Sequence, residues 1–254
     1  MNPLKLMLAA LVALLPLPAL ADVTAHYQMG GKTELTVEVA SGGNARLEVV
    51  GKFALIRRDA VDYLVVHDQA ETKVFELSEM IDFAKGIIPD TKDPKAGEIG
   101  FGVVAGPAAT VAGRPGMIWN LAMVKGPEND RKKQVEFVMS LDAALAPVGG
   151  VFQRTIVSLN DLLLRLFPAE TQFVPRLSEV MAKGAPLRIT PVEAGATKPE
   201  GPLIEFKSLD QSAIDAKHFE LPGPVTSIDE LMGMLGSMDL KGGAGTAGGV
   251  EKLP

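Results

Sequence analysis

The chain has no cysteine among its 254 residues. It can form no disulfide, and it has no thiol to carry a lipid, a thiolate metal ligand or a nucleophile. Positive charge is also in short supply. Twenty-five Lys and Arg face 31 Asp and Glu, for a net charge of −6. A nucleic-acid-binding domain needs a clustered cationic surface, and this balance argues against one. After the first 21 residues no apolar run approaches the length that crosses a membrane as a helix. There is no G-x-S-x-G elbow, no phosphate-binding G-x-x-x-x-G-K-S/T loop and no H-E-x-x-H. The three histidines, His26, His67 and His218, stand far apart in sequence. Neither catalytic residues nor a cofactor or metal site can be named, and the chain reads as a non-enzyme that needs no cofactor.

One weak motif survives. Gly100-Phe101-Gly102, with Ala105 in third place, has the spacing of a dinucleotide loop. Such a loop needs a strand before it and a helix after it. Here a polar loop precedes it and Gly106-Pro107 interrupts any following helix, so a strand edge is the better reading.

What is present begins with an export signal. Lys5 precedes an apolar run from Leu6 to Leu20, broken by Pro16 and Pro18, and Ala19-Leu20-Ala21 forms an A-x-A site. Cleavage is expected between Ala21 and Asp22. It removes one cation and no acid, moving the charge to −7. The expected mature chain is periplasmic, without a transmembrane anchor.

From Val23 the pattern has a period of two. Val23, Ala25 and Tyr27, then Leu35, Val37 and Val39, then Ala45, Leu47 and Val49 alternate with polar residues. Gly30-Gly31 and Ser41-Gly42-Gly43-Asn44 separate them, as hairpin turns do. Phe53–Ile56 and Tyr63–Val66 are apolar on both parities, which predicts a cover over both faces of the sheet there. Ser78 is read as the cap of a helix reaching Ile88, with Met80, Phe83, Ala84 and Ile87 on its apolar face. Strands over 103–112 and 117–123 and around Val135–Met139 follow. A second helix is expected to open at Ser158, with Leu159, Leu162, Leu163, Leu166 and Phe167 as its stripe and Pro168 as its end. A third covers Arg176–Lys183, then come strands at 186–190 and 203–209. Ser227-Ile228-Asp229-Glu230 is a capping box for a last short helix. The segment from Gly236 to Pro254 is glycine-rich and reads as a disordered tail. The expected domains are thus a signal peptide over 1–21, a single domain over 22–235 and a tail over 236–254.

The order of these elements resembles the LolA/LolB-like superfamily of periplasmic proteins, an uncharacterised branch of it. The resemblance is carried by Lys52–Asp59 running into Val61–Val66, the helix at Ser78, Thr110-Val111-Ala112-Gly113 with Trp119, Gly184–Arg188, Leu203–Ser208 and Phe219-Glu220-Leu221-Pro222. It implies an α+β fold, an antiparallel sheet curved into a half-barrel with helices packed on one face as a lid. It also implies an apolar ligand, a lipid or a lipid-modified partner. Phe83, Ile87, Trp119, Leu163 and Phe167 are the candidate lining. The alternative is a ligand-free structural or interaction module of the cell envelope, with envelope proteins as partners. An outer-membrane barrel is opposed by the mid-chain helices and the charged strand faces.

Overall fold

A computed structural model describes residues 22–67, 71–88, 99–125, 133–166, 172–193 and 201–232. The expected signal segment and the tail lie outside the described residues, as do Phe167, Pro89 and Pro168.

Six strands come first: β1 (Val23–Met29), β2 (Thr33–Val39), β3 (Ala45–Val49), β4 (Phe53–Arg58), β5 (Val61–His67) and β6 (Thr72–Glu76). Helix α1 (Leu77–Ile87) follows, then β7 (Gly100–Val111), β8 (Arg114–Lys125) and β9 (Lys133–Ser140). Helices α2 (Ala146–Leu166) and α3 (Phe173–Met181) precede β10 (Ala185–Glu193) and β11 (Ile204–Asp210). All eleven strands join one open sheet in the order β6-β5-β4-β3-β2-β1-β11-β10-β9-β8-β7. Every neighbouring pair is antiparallel. Short turns make most neighbours sequential. The long-range step is β1 against β11, which places the first and last strands side by side and leaves β6 and β7 as the two edges.

The alternation seen in the sequence sorts side chains as expected. Ala25, Tyr27, Leu35, Val37, Ala45, Leu47 and Val49 are buried on one face. The sheet bends around α2 and α3, so that β1–β3 and β7–β11 share a single core with Val148, Val151, Phe152, Val180 and Met181.

The two-sided strands are covered twice, the outer cover being a mostly extended segment from the C-terminal part of the chain. Ala54, Ile56, Val65 and Val74 form a separate cluster with Tyr63 and Leu221. An extended strap, residues 211–226, brings Leu221 over this face. A 3-10 turn at Ala216–Phe219 lies against β3 and β4, with Phe219 buried. Val225 bridges Val74 in parallel, and the Thr226 amide donates to the Val74 carbonyl at 2.7 Å.

The helices depart from expectation in start and phase. Helix α1 begins at Leu77 after Glu76, so Ser78 sits in its first turn and its hydroxyl donates to the Glu76 carboxylate at 2.5 Å. Its buried residues are Leu77 and Ile81, a face rotated from the expected stripe of Met80, Phe83, Ala84 and Ile87. Helix α2 begins twelve residues before Ser158. Pro147 and Gly149-Gly150 do not prevent this, since proline is tolerated in a first helical turn. Gly149 is there for packing: a Cβ on it would lie 3.0 Å from the Ala185 nitrogen and the Gly184 carbonyl carbon. The buried part of α2 is Val148–Phe152, whereas its leucine-rich end is only partly covered. Helix α3 starts three residues earlier than expected, at Phe173. Ser227 caps the last short helix as its box predicts, accepting from the Glu230 amide at 3.2 Å. Gly100–Ala105 lies in edge strand β7.

Candidate binding groove

The seam between the β3–β5 half of the sheet and helices α1 and α2 holds connected depressions. Each is built from residues that the strand period and the helix phase turn inward. Ala45, Leu55, Arg57 and Asp62 share the core-facing parity of β3, β4 and β5. With Leu77 of α1 and Val151, Arg154, Thr155 and Ser158 of α2 they enclose a cavity of about 20 Å³, room for one water. Asp62, Leu77 and Ser158 continue into an open groove of about 390 Å³, walled by Ala60, Val61, Glu76, Ser78, Ile81, Asp82 and Lys85. On the other side Arg154 continues into a depression of about 290 Å³ between the β2–β3 turn and Ala146–Gly150.

The floor is apolar and the rim is charged. Arg57 donates to Asp62 at 2.8 Å. Arg154 makes no ion pair among the described residues. Partial burial, with Arg57 beside it, pushes its guanidinium below the usual arginine range, while Asp62 works in the opposite sense. Lys85 reaches Asp82 at 3.1 Å and Asp161 at 3.6 Å. Arg165 donates to the carbonyls of Lys85 and Ile88 at 2.7 and 3.2 Å. It thereby satisfies the carbonyl end of α1 and ties that helix to α2.

The five candidate lining residues do not converge here. Phe83 lines a separate, acidic depression of about 420 Å³ with Glu79, Asp82 and Ser227–Asp229. Ile87 is 62% exposed. Trp119 packs on the main core near α3, with the Lys183 ammonium 4.7 Å above its ring. Leu163 is half-buried on the outer part of α2, and Phe167 lies outside the described residues. For the four candidates on the expected helices the stripes set the inward direction, and the actual phase of α1 and length of α2 shift it. Arg57, Asp62 and Arg154 were the residues missed. Arg154 lies before the expected start of the second helix at Ser158, and Asp62 is one polar residue in a strand, so neither carries a local signal of a site.

The histidines are dispersed. His26 meets Glu34 at 3.3 Å, His67 meets Thr72 at 3.3 Å and His218 meets Glu38 at 2.8 Å. Among the described residues no group of three or more His, Asp or Glu could hold a metal, and no helix is long and apolar enough to cross a membrane.

No family model and no curated protein matches the chain. Solved structures of MucB match it over most of its length. MucB alone has a TM-score of 0.32 at 15% identity, over 80% of this chain and 57% of that one. MucB in complex with MucA(peri) has 0.32 at 15%, over 83% and 58%. The MucA/MucB complex of Pseudomonas aeruginosa has 0.31 at 15%, over 82% and 58%. The chain thus spans less than two thirds of the structures it matches. At these values the likeness says nothing of what this chain binds.

Proposed function

We propose that the chain is an interaction module of the bacterial cell envelope that binds another protein in the groove between α1, α2 and β3–β5. The observation that carries this reading is the filled interior. An acyl-binding site needs several hundred Å³ of apolar enclosure. Here the concave side of the sheet is packed with Val148, Val151, Phe152, Val180 and Met181, and the enclosed cavity at the seam has about 20 Å³. The larger spaces are open and edged by Arg154, Asp62, Asp82 and Lys85 over Leu77 and Ile81. An apolar floor with a polar rim is the anatomy of a protein interface.

In this reading the protein works in the periplasm after cleavage before Asp22, belongs with the LolA/LolB-like proteins and is no enzyme. The open antiparallel sheet with helices on its concave face supports the second statement. The absence of any nucleophile–base pair in the sequence supports the third.

The test is site-specific photo-crosslinking in cells, with the probe at Ser158 or Ile81 in the groove and at Gln28 on the far strand β1. A discrete protein adduct from the groove positions alone is expected. Native mass spectrometry of detergent-free protein should show no bound lipid, and a fluorescent fatty acid followed through Trp119 should not saturate. A stoichiometric co-purified lipid with no groove adduct overturns the reading in favour of an apolar-ligand carrier.

A further inference from the structure

Nearly all the described arginines are engaged. Six of them pair with a carboxylate, and Arg165 holds two carbonyls. Arg154 has neither among the described residues. Its side chain is exposed on α2 and lies back over Gly150, where a Cβ would be 3.4 Å from its Nη1. Among the described residues it is the one charged group lining the depression of about 290 Å³ between Ala146–Gly150 and the β2–β3 turn. Asp22, which takes the Ser41 amide at 2.7 Å, is not part of that lining. On the other side stands Asp62, already bonded to Arg57 at 2.8 Å. Two guanidiniums thus share one carboxylate, and partial burial with Arg57 close by works against the charge on Arg154.

The other end of the seam has the opposite sign. Glu76, Asp82 and Lys85 wall the open groove there, and Lys85 is divided between Asp82 and Asp161. Leu77 and Val151 lie between the two ends. The charges therefore run from one spare cation, past an apolar stretch, to a surplus of acid. That order discriminates between occupants. A polyanion (a phosphate-rich headgroup or a nucleic acid) would gain one cation and meet the carboxylates of Glu76, Asp82 and Asp161. A wholly apolar segment would strip water from Arg154 and give it no partner. A segment with an acid and a base in the matching order satisfies both ends.

We propose that the groove takes an extended segment of a partner protein whose Asp or Glu pairs with Arg154 and whose Lys or Arg lies toward Glu76 and Asp82. This rests on the groove reading above and adds the charge order and spacing of the partner. Gly150 and Ser158, which line the two depressions, stand about 12 Å apart along α2. An extended chain covers that distance in about four residues, so the acid and the base are about four residues apart in the partner. Arginine suits the acid, because its planar fork can bond both carboxylate oxygens at once.

The test selects peptides on the exported chain from a random library displayed within a loop, so that no free terminus competes for Arg154. Selected peptides are synthesised with capped ends, and a photo-probe at Ser158 or Ile81 identifies those seated in the groove. These should carry an acid with a base about four residues away. In fluorescence anisotropy, Arg154→Glu should weaken their binding at least about tenfold, and Lys in place of the peptide's acid should restore it. Lys217→Glu, on the strap, should change nothing. If Arg154→Glu fails to fold by circular dichroism, exchange of the peptide's acid for Gln or Lys against the wild-type chain decides alone, with the same loss expected. Groove-seated peptides without an acid, or indifferent to these exchanges, overturn this inference and leave the groove reading standing. Selected peptides that crosslink only outside the groove, or no selected peptide at all, overturn both.

Discussion

Single side chains in this protein are held at unequal strain. Tyr27 is 1% exposed, edge-on to Phe152 and Phe206 at 5.6 and 5.5 Å, and its hydroxyl meets no partner among the described residues. Burial pushes its phenol well above the usual tyrosine range. A buried, unsatisfied hydroxyl costs about 1–3 kcal/mol. Tyr27→Phe keeps both ring contacts and removes that cost, so thermal melting should rise, by the equivalent of about 1 kcal/mol. Asp22 is the opposite case. It accepts the Ile214 amide at 2.9 Å and the Ser41 amide at 2.7 Å, and these bonds hold its carboxyl below the usual aspartate range. A carboxyl with a lowered folded-state pKa stabilises the fold above its unfolded-state value and loses that contribution as pH falls through the folded one. Asp22→Asn should therefore lower stability at neutral pH, on the order of 1 kcal/mol given its access to solvent. The difference from wild type should shrink as pH drops below about 4, which denaturant melts across that range would show.

Among the elements, helix α2 is where propensity and packing conflict most. Gly149 and Gly150 are neighbours in its first turns with different surroundings. At Gly149 a methyl would press on the backbone of Gly184 and Ala185, whereas at Gly150 it would meet the tip of Arg154 at 3.4 Å. Alanine gains about 1 kcal/mol over glycine within a helix. Gly150→Ala should realise most of that gain. Gly149→Ala should lose it and cost about 1–3 kcal/mol more, because a backbone contact cannot swing aside. Chemical denaturation of the pair reads the difference directly. The close approach extends past the helix. Gly184 has φ +142 and a Cβ there would fall 2.1 Å from the Ser140 carbonyl oxygen, so α2, the end of α3 and β9 meet where no side chain fits. The start of α2 is fixed from the sheet side. Asp142 accepts the Ala144 amide at 2.9 Å, pairs with Arg114, and its own amide donates to the Ser140 hydroxyl at 3.2 Å.

At the scale of the molecule, the strap and the helices cover opposite faces of one sheet and are secured in different ways. The helices are held by a large apolar core. The strap is held at discrete points: Asp22 at its base, Arg46 on the His218 carbonyl at 3.2 Å, His218 on Glu38 at 2.8 Å, and Phe219 at 2% exposure. Phe219→Ala removes the largest buried side chain of that set and should cost about 3 kcal/mol. Hydrogen exchange at the Thr226 amide should rise with it, since that amide bonds β6 only while the strap is seated. Exchange in β1 and β2, at the centre of the strand order, should stay unchanged.

Local chemistry by itself determined the strands of the first half. Val23 to Val49 alternate because each strand has one wet face, and Gly30-Gly31 and Gly43 supply the positive φ of the turns between them. The two-sided cover over β4 and β5 was equally legible, because apolar residues on both parities have nowhere else to go. The sequence also located the Ser227 cap, whose partner is three residues away. Tertiary structure decided what local pattern could not carry. The start of α2 was hidden because Pro147, Gly149 and Gly150 have low helix propensity, and Gly149 is required only by the backbone of Gly184 and Ala185 that lies against it. The covering strap was invisible because its bonds join residues about 180 positions apart, such as His218 and Glu38. The groove was missed for the same reason. Arg57, Asp62 and Arg154 are ordinary residues in three separate elements, and only the bend of the sheet around α2 brings them to one seam.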